Sequence, residues 1–478
     1  MFGWLRKLLR SKQTVRMVRG RYDAAQTNDD NARHWAAADA LSAASANSAA
    51  IRAVLRKRAR YECTNNGIAA GIVSTLTNDV IGTGPRLQIM AKRELTRPLE
   101  RTFARWADEI DLADKLRTMR RTRAVDGECF GVLTNNPRLM SPIQLDLRTC
   151  EADRVANSWM ESLTNTGGWI DGIQYDGFGN PTRYRILNAH PGDVTQFSTD
   201  PMGTTEYDAA SVLHDYKSER PGQLRGVPEM VSTLGLFAEM RRYTAAVLAA
   251  AETAADFAWF MKATGVSSTV AGSDPFSTID IERRMGQVLP EGWDIAQLKA
   301  EQPTTTLGMF VNLLVNIAAR PFNMPLNVAL CNSSGYNYAS GRMDHQVYQR
   351  AIGIDREQYA RRVLDRILYA WLNEAALVPG LIPDGLGPFN QWDWAWHWDG
   401  FAHVDPSKEA TAQATRLANH TTTLQAEYAA EGEDWEEALT QRGIEVARMK
   451  ALDLPIATAP VVLQDASNQD GGQNATAN

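Results

Sequence analysis

Apolar positions recur at helical spacing through several long stretches of the chain and alternate through several short ones. In the first long stretch, residues 48–79, Ile51, Val54, Leu55, Tyr61, Ile68, Ile72, Val73 and Leu76 hold a helical period. Val80-Ile-Gly-Thr-Gly-Pro85 closes it in a glycine turn, and 86–90 begins an extended segment. Leu99, Phe103, Trp106, Leu112, Leu116 and Met119 predict a second helical stretch over 95–125. Asp126-Gly127 turns it into a strand over 128–134. Short runs at 143–147, 169–175, 182–187 and 212–216 then alternate with the turn sequences Gly167-Gly168, Asp176-Gly-Phe-Gly-Asn180 and His190-Pro-Gly-Asp193. The pattern predicts a mixed α+β domain ending near residue 219.

Arg220-Pro-Gly-Gln-Leu-Arg-Gly-Val-Pro228 separates this domain from a long helical run over 229–260. Pro228 suits the first helical position, where its missing N–H costs nothing, and Glu229 sets negative charge at the positive end of the helix dipole. Val231, Leu234, Met240, Tyr243 and Val247 carry the period, and interleaved alanines, among them Ala246, Ala250 and Ala254, leave room for a neighbouring helix. At the helical rise this strut is roughly 45–50 Å long. A compact β-containing insert follows, marked by Val288-Leu-Pro-Glu-Gly-Trp293 and 294–298. Thr304 then caps a second helix that Pro321 stops.

Between 323 and 341 the chain carries no charge. It holds Asn323, Asn327, Asn332, Ser333, Ser334, Asn337 and Ser340 with Tyr336 and Tyr338. Another long helix is expected over 342–373. Residues 391–398 alternate strictly, placing Trp392, Trp394, Trp396 and Trp398 on one strand face, which reads as a buried packing surface. Asp405-Pro-Ser407 starts a helix over 408–430, and a shorter one covers 435–452. An acidic cluster (Glu427, Glu431, Glu433, Asp434, Glu436, Glu437) surrounds the break between them. Beyond Ala457 the polar composition is that of a disordered tail.

Composition narrows the function classes. The chain has 478 residues, 44% hydrophobic and 22% charged, as in a globular protein of two or three domains. Its net charge of −6 argues against a protein that coats nucleic acid electrostatically. The four cysteines lie far apart and read as reduced thiols. No apolar run reaches the length of a membrane span. Before residue 22, Phe2, Trp4, Leu5, Leu8 and Leu9 interleave with Arg6, Lys7 and Arg10 in a basic amphipathic arm. Arg52, Arg56, Lys57, Arg58 and Arg60 read as a solvated or subunit-facing helix surface. There is no Gly-Lys dipeptide, hence no phosphate-binding P-loop, and no Gly-x-Ser-x-Gly or His-Glu-x-x-His. Asp393, His397, Asp399 and His403 are scattered over a strand and a turn. No catalytic residue, cofactor or metal is expected.

Arg220-Pro-Gly-Gln-Leu-Arg-Gly-Val-Pro228, preceded by Val212-Leu-His-Asp-Tyr216, resembles the signature of tailed-bacteriophage portal proteins of the lambda family. Arg21-Tyr-Asp-Ala-Ala25, Asn65-Asn66, Asn78-Asp-Val-Ile-Gly-Thr-Gly-Pro85 and Asp126-Gly-Glu128 agree with it in order. The resemblance implies a multi-domain α+β portal fold. Its parts would be a basic arm (1–21), the first part of a wing (22–219), stem helix 1 (220–261) and a clip (262–300). Stem helix 2 (301–320), a tunnel loop (321–341), a long helix with the rest of the wing (342–403), a helical crown (404–452) and a tail (453–478) would follow.

It further implies a homo-oligomeric ring, usually a dodecamer, made in the host cytoplasm and built into the virion at one capsid vertex. Double-stranded DNA would pass through it without sequence recognition during packaging and ejection. The terminase large subunit, head-tail connector proteins, and the major capsid and scaffolding proteins would be its partners. Asn323, Asn327, Asn332, Ser333, Ser334, Tyr336 and Asn337 would line the channel. Gly226 and Pro228 would hinge wing to stem, Ala246, Ala250 and Ala254 would face the next subunit, and Pro290, Glu291 and Trp293 would meet the motor or connector. Two other classes stay open at this point: a metal-dependent nuclease using dispersed carboxylates with His397 or His403, and an adaptor binding DNA or membrane through the basic arm.

Overall fold

The computed structural model describes residues 32–156, 168–193, 203–256, 260–263, 293–296, 307–401 and 406–455. The basic arm, Pro290, Glu291, Thr304, His403 and the tail beyond 455 lie outside them.

Two helices stand where the first apolar run predicts one. α1 (Ala49–Asn65) and α2 (Gly67–Ile81) meet at Asn66, whose extended backbone breaks the helix and whose side chain accepts from the N–H groups of Ile68 and Ala69. That is an N-cap set inside a continuous period. The second run divides likewise, with Asp111 at φ 52 between α3 (Arg93–Glu109) and α4 (Leu112–Asp126). Periodicity reports which face is buried, and a cap can interrupt the helix without disturbing that face.

Gly127 turns α4 into β2 (Glu128–Asn135), the centre of an antiparallel sheet flanked by β3 (Leu145–Cys150) and β8 (Val212–Tyr216). Alternation splits its side chains between two cores. Cys129, Leu147 and Leu213 join Leu116, Met119 and Ala124 in the main helical core. Phe130, Val132, Val212 and Cys150 face the other way, onto Ile173, Tyr184 and Ile186. These last come from a second antiparallel sheet in sequential order: β4 (Trp169–Ile170), β5 (Ile173–Tyr175), β6 (Pro181–Leu187) and β7 (Thr204–Asp208). The strand expected over 169–175 is thus a tight hairpin turning at Asp171-Gly172.

The long helix after the motif begins later than its sequence suggests. Pro228 to Met230 form a turn, Val231–Thr233 a 3-10 turn, and α5 (Leu234–Asp256) starts only then. Its 23 residues span about 35 Å instead of 45–50 Å. β9 (Phe260–Ala263) pairs antiparallel with β10 (Trp293–Ala296), setting Trp293 opposite Ala263. α6 (Leu307–Ala319) returns beside α5, where Tyr243 meets Phe310 edge-on at 5.2 Å.

A one-turn helix, α7 (Leu326–Ala329), lies inside the uncharged loop. Asn337 then caps α8 (Tyr338–Tyr359) by accepting from the Ser340 N–H, so this helix starts four residues before the expected 342. A π turn, Ala360–Leu364, joins it to α9 (Asp365–Ala375) without a break. β11 (Trp394–His397) pairs with β1 (Arg86–Ile89). Trp392 is buried, and Trp394, Trp396 and Trp398 pack half-buried on the main core, as the alternation predicts. The indole N–H groups of Trp394 and Trp396 both donate to Asp365 Oδ1, at 2.8 and 2.9 Å.

Three helices complete the described chain: α10 (Pro406–Ala418), α11 (Leu424–Ala430) and α12 (Trp435–Ala451). The helix expected over 408–430 breaks before Thr423, which caps α11. Among the described residues no helix is long and apolar enough to cross a membrane.

Candidate functional site

The two glycine motifs of the sequence, Asp126-Gly-Glu128 and Arg220 to Pro228, meet backbone to backbone. Gly127 has φ +90, and a Cβ there would lie 2.3 Å from the Val227 carbonyl carbon. A Cβ on Gly226 would lie 2.0 Å from the Gly127 carbonyl oxygen. Neither position has room for a side chain. The Glu229 N–H donates to the Ala124 carbonyl at 3.0 Å, which ties the segment just before α5 to the end of α4.

Arg225 fills the space behind this contact. Its Nη2 donates to Glu128 Oε1 at 2.7 Å, and its Nε to both carboxylate oxygens at 3.0 and 2.9 Å. Nη1 donates to the carbonyls of Val155 and Asp171, and the guanidinium lies 5.3 Å from the Phe130 ring centre. Glu128 also accepts from the Gly226 N–H at 2.9 Å and from His214 Nε2 at 3.1 Å. Burial alone would raise the Glu128 carboxyl, but Arg225 and His214 together hold it well below its usual range. Burial pushes His214 down, so the neutral ring donates. The carbonyl of Arg225 accepts from Asn47 at 2.8 Å and from Gln223 at 2.9 Å. The motif is therefore a knot that draws α1's approach, β2, β8 and the second sheet together.

A second charge layer lies beside it. Arg123 reaches Asp215 at 3.3 Å, Glu229 at 2.9 Å and Asp355 on α8. Arg120 reaches Glu229 at 3.1 Å and Asp355 at 2.8 Å. Burial opposes ionisation of Asp355, yet the two arginines depress it to about 2. Glu229 accordingly does not sit at the start of a helix as a partner of its dipole. It is a nearly buried acid joining α4, the motif and α8, because α5 begins five residues later.

The basic cluster of α1 is corrected in the same sense. Arg52 and Arg56 are buried, Arg52 pairing with Asp171 at 2.8 Å and Arg56 with Asp153 at 3.5 Å. Arg60 binds Asp126 at 2.6 Å and Asp153 at 2.7 Å. Only Lys57 and Arg58 of that group are exposed. The missed signal was legible in principle. Arg52 and Arg56 lie in helical register with buried Ala59 and Cys63, and Arg120 and Arg123 with Leu116 and Met119, so each charge falls on an apolar stripe.

The other expected site residues fall in three places. Gly226 and Pro228 stand in the knot. On α5, Ala246 and Ala250 are exposed, and the side chain of Ala254 lies outside the described residues. In the uncharged loop, Asn323 (φ 52), Asn332, Ser333, Ser334 and Asn337 are exposed and Tyr336 is half-buried. Asn327 is turned inward instead: it is buried, and its amide lies 3.0 Å from His345 Nε2 on α8. Asn337 is engaged as the cap of α8, and Asn332 accepts from the Ser334 N–H at 3.0 Å. The loop is thus partly built. Trp293 lies on β10, and its side chain lies outside the described residues.

The scattered Asp393, His397 and Asp399 form no cluster of ligating groups among the described residues. His397 contacts Gln88 at 2.8 Å, and Asp399 accepts from the Thr83 N–H and hydroxyl at 2.6 and 2.7 Å. Asp399, one of the carboxylates near His397, is thus engaged in structural bonds. The one described group with three converging ligand types is Glu151, Asp153 and His190. There His190 Nδ1 accepts from the Gly192 N–H at 2.9 Å, and Nε2 lies 2.9 Å from Glu151. Arg60, 2.7 Å from Asp153, already supplies the positive charge.

The family described as phage portal protein, lambda family, matches residues 29–356. No curated protein matches the chain. Solved structures similar to it include the neck of a native GTA particle computed with C12 symmetry, at 12% identity over 83% of this chain and 92% of that chain, with TM-score 0.43. Others are the virion of a native gene transfer agent particle (13% identity, 76% and 88% covered, TM-score 0.42) and the neck of an empty GTA particle computed with C6 symmetry (14%, 82% and 91%, TM-score 0.41).

Proposed function

Because the chain belongs to the lambda family of phage portal proteins, we propose that copies of it close into a ring, usually of twelve, at one vertex of the capsid. Double-stranded DNA passes through the ring during packaging and ejection. The ring nucleates head assembly with the major capsid and scaffolding proteins. The terminase large subunit and later the head-tail connector proteins dock on the segment around β9 and β10. ATP hydrolysis belongs to the motor, and this chain catalyses nothing.

One observation carries the ring: the bare, uncharged flank of α5 and α6. From Tyr243 to Ala251, and through all of α6, there is no charged residue. Leu248 is 60% exposed, Met309 69%, Leu313 54% and Ile317 48%. Apolar patches of this kind on one chain mark surfaces that a partner covers. A head-to-tail contact that closes on itself covers every such flank at once. Ala246, Ala250 and Ala254 are the small residues that let the next subunit's helix approach.

The uncharged loop at Asn323, Asn332, Ser333 and Ser334 is assigned to the channel wall. There it gives hydrogen-bonding capacity without the ion pairs that would hold each passing phosphate. Gly226-Val-Pro228 is the hinge at which wing passes into stem. The test is mass in solution combined with negative-stain images. Rings with a central hole are expected, and a stable monomer under assembly conditions would overturn the reading.

A further inference from the structure

The C-terminal helices are attached to the body in an unusual way. None of the residues of α10, α11 or α12 is buried, so no hydrophobic core holds them in place. Contact is concentrated at the turn between α11 and α12, which is gripped by arginines. Arg86 donates to the Gly432 carbonyl. Arg93 spans three carboxylates: Glu100 of its own helix at 2.6 Å, Asp434, and Glu436 at 3.3 Å. Arg97 pairs with Glu437 at 2.9 Å. Three members of the acidic cluster seen in the sequence, Asp434, Glu436 and Glu437, meet Arg93 and Arg97, whereas Glu427 pairs with Arg416 within the unit. Beside the grip lies an open cleft of about 630 Å³, with Ala104 and Asp108 on the α3 side and Ala438 and Gln441 on the α12 side.

We propose that residues 406–455 are a hinged unit, latched to the body by Arg93 and Arg97 and able to swing open across this cleft. Two features argue for a latch over a fixed joint. Most of the gripping side chains are partly solvated: Arg93 is 23% exposed, Arg97 33%, Glu436 39% and Glu437 59%, with Asp434 the most covered at 14%. Ion pairs so placed are individually weak and screened by salt. The backbone beneath offers a pivot, since a Cβ on Gly400 would lie 2.6 Å from the Ala430 carbonyl and one on Gly432 would lie 2.4 Å from the Trp398 carbonyl. With backbone contact confined to the Trp398–Gly400 and Ala430–Gly432 segments and no residue of the three helices buried, the rest of the unit can turn about that contact once the charges part. This inference is independent of ring assembly.

The experiment is a spin-label distance measurement in the full chain. Labels go on Ala104→Cys and Gln441→Cys in a Cys331→Ser background, since Cys331 is the exposed thiol and Cys63, Cys129 and Cys150 are buried. With the labelled chain diluted in an excess of unlabelled chain, so that within-chain pairs dominate whether or not rings form, one narrow distance is expected at low ionic strength. Raising salt to about 0.5 M, where the screening length falls well under 10 Å, broadens and lengthens the distribution. Arg93→Gln with Arg97→Gln does the same at low salt. Charge reversal across one pair, Arg97→Glu with Glu437→Arg, restores the narrow distance. If the distribution stays the same in high salt and in the arginine variants, the backbone contact alone fixes the unit and the latch is wrong. The salt series on the otherwise unchanged chain decides the matter even if a variant fails to fold.

Discussion

Replacing Glu128 by Gln tests whether the knot behind the glycine motifs holds the fold. The substitution keeps the shape and one acceptor oxygen but removes the charge that Arg225 faces at 2.7 Å. At roughly 3 Å and an effective dielectric of about 20, that attraction is on the order of 5 kcal/mol. Arg225 is 2% exposed, so it cannot turn to water, and removing one member of a buried pair costs about 3–5 kcal/mol. For a domain of about 150–250 residues this is a fall of about 6–20 °C in Tm. Thermal unfolding of the purified chain, followed by intrinsic fluorescence, reads it directly.

The pH dependence sharpens the test. Glu128 is depressed in the folded state, so its contribution is complete above the unfolded value of about 4.3 and is lost as pH falls through the lower folded value. The gap between wild type and Glu128→Gln should be constant from pH 7 to about 5 and narrow below that. Asp355 and Glu229, also depressed, are present in both chains and cancel in the difference. Combining Glu128→Leu with Arg225→Met should recover part of the loss, because a neutral pair leaves no orphaned charge. A Tm change under about 2 °C, or a gap unchanged at pH 3, would refute the reasoning.

Gly226→Ala places a methyl group 2.0 Å from the Gly127 carbonyl, a clash with backbone that no rotamer relieves, so soluble yield and Tm should both fall sharply. Ala250→Trp adds bulk on an exposed face of α5 and should leave circular dichroism of the chain near wild type while abolishing rings in negative stain; normal rings would move the subunit contact elsewhere. Replacing 332–337 with Gly and Ser should reduce DNA packaging or retention in assembled particles, and unchanged packaging would remove this loop from the channel wall.

Local signals in the sequence located most elements and missed what joins them. β8 has the bounds that its alternation predicts, and the Asp126-Gly127 turn into β2 is where its residues demand it. The tryptophan face packs inward as its spacing requires. Caps were the first source of error. Asn66 and Asn337 move helix boundaries by bonding to backbone N–H groups, and neither changes the apolar period on which helix prediction relies. Charge was the second. A cluster of arginines reads as surface because a buried guanidinium is costly, and that cost disappears only when acids distant in sequence arrive to meet it. Asp171 meets Arg52, Asp355 meets Arg120 and Arg123, and Asp434 meets Arg93 across 341 residues.

The glycine motifs join these two lessons. Each reads alone as a turn, and neither announces that its glycines exist to let the other motif's backbone come within contact distance. Once they touch, the only side chain that fits behind them is one able to neutralise Glu128, bond the Val155 and Asp171 carbonyls and lie against Phe130, and Arg225 does all three. The arginine and glycine of Arg225-Gly226 are thus a single requirement: the glycine brings the two backbones together and the arginine stabilises the charge that their meeting buries.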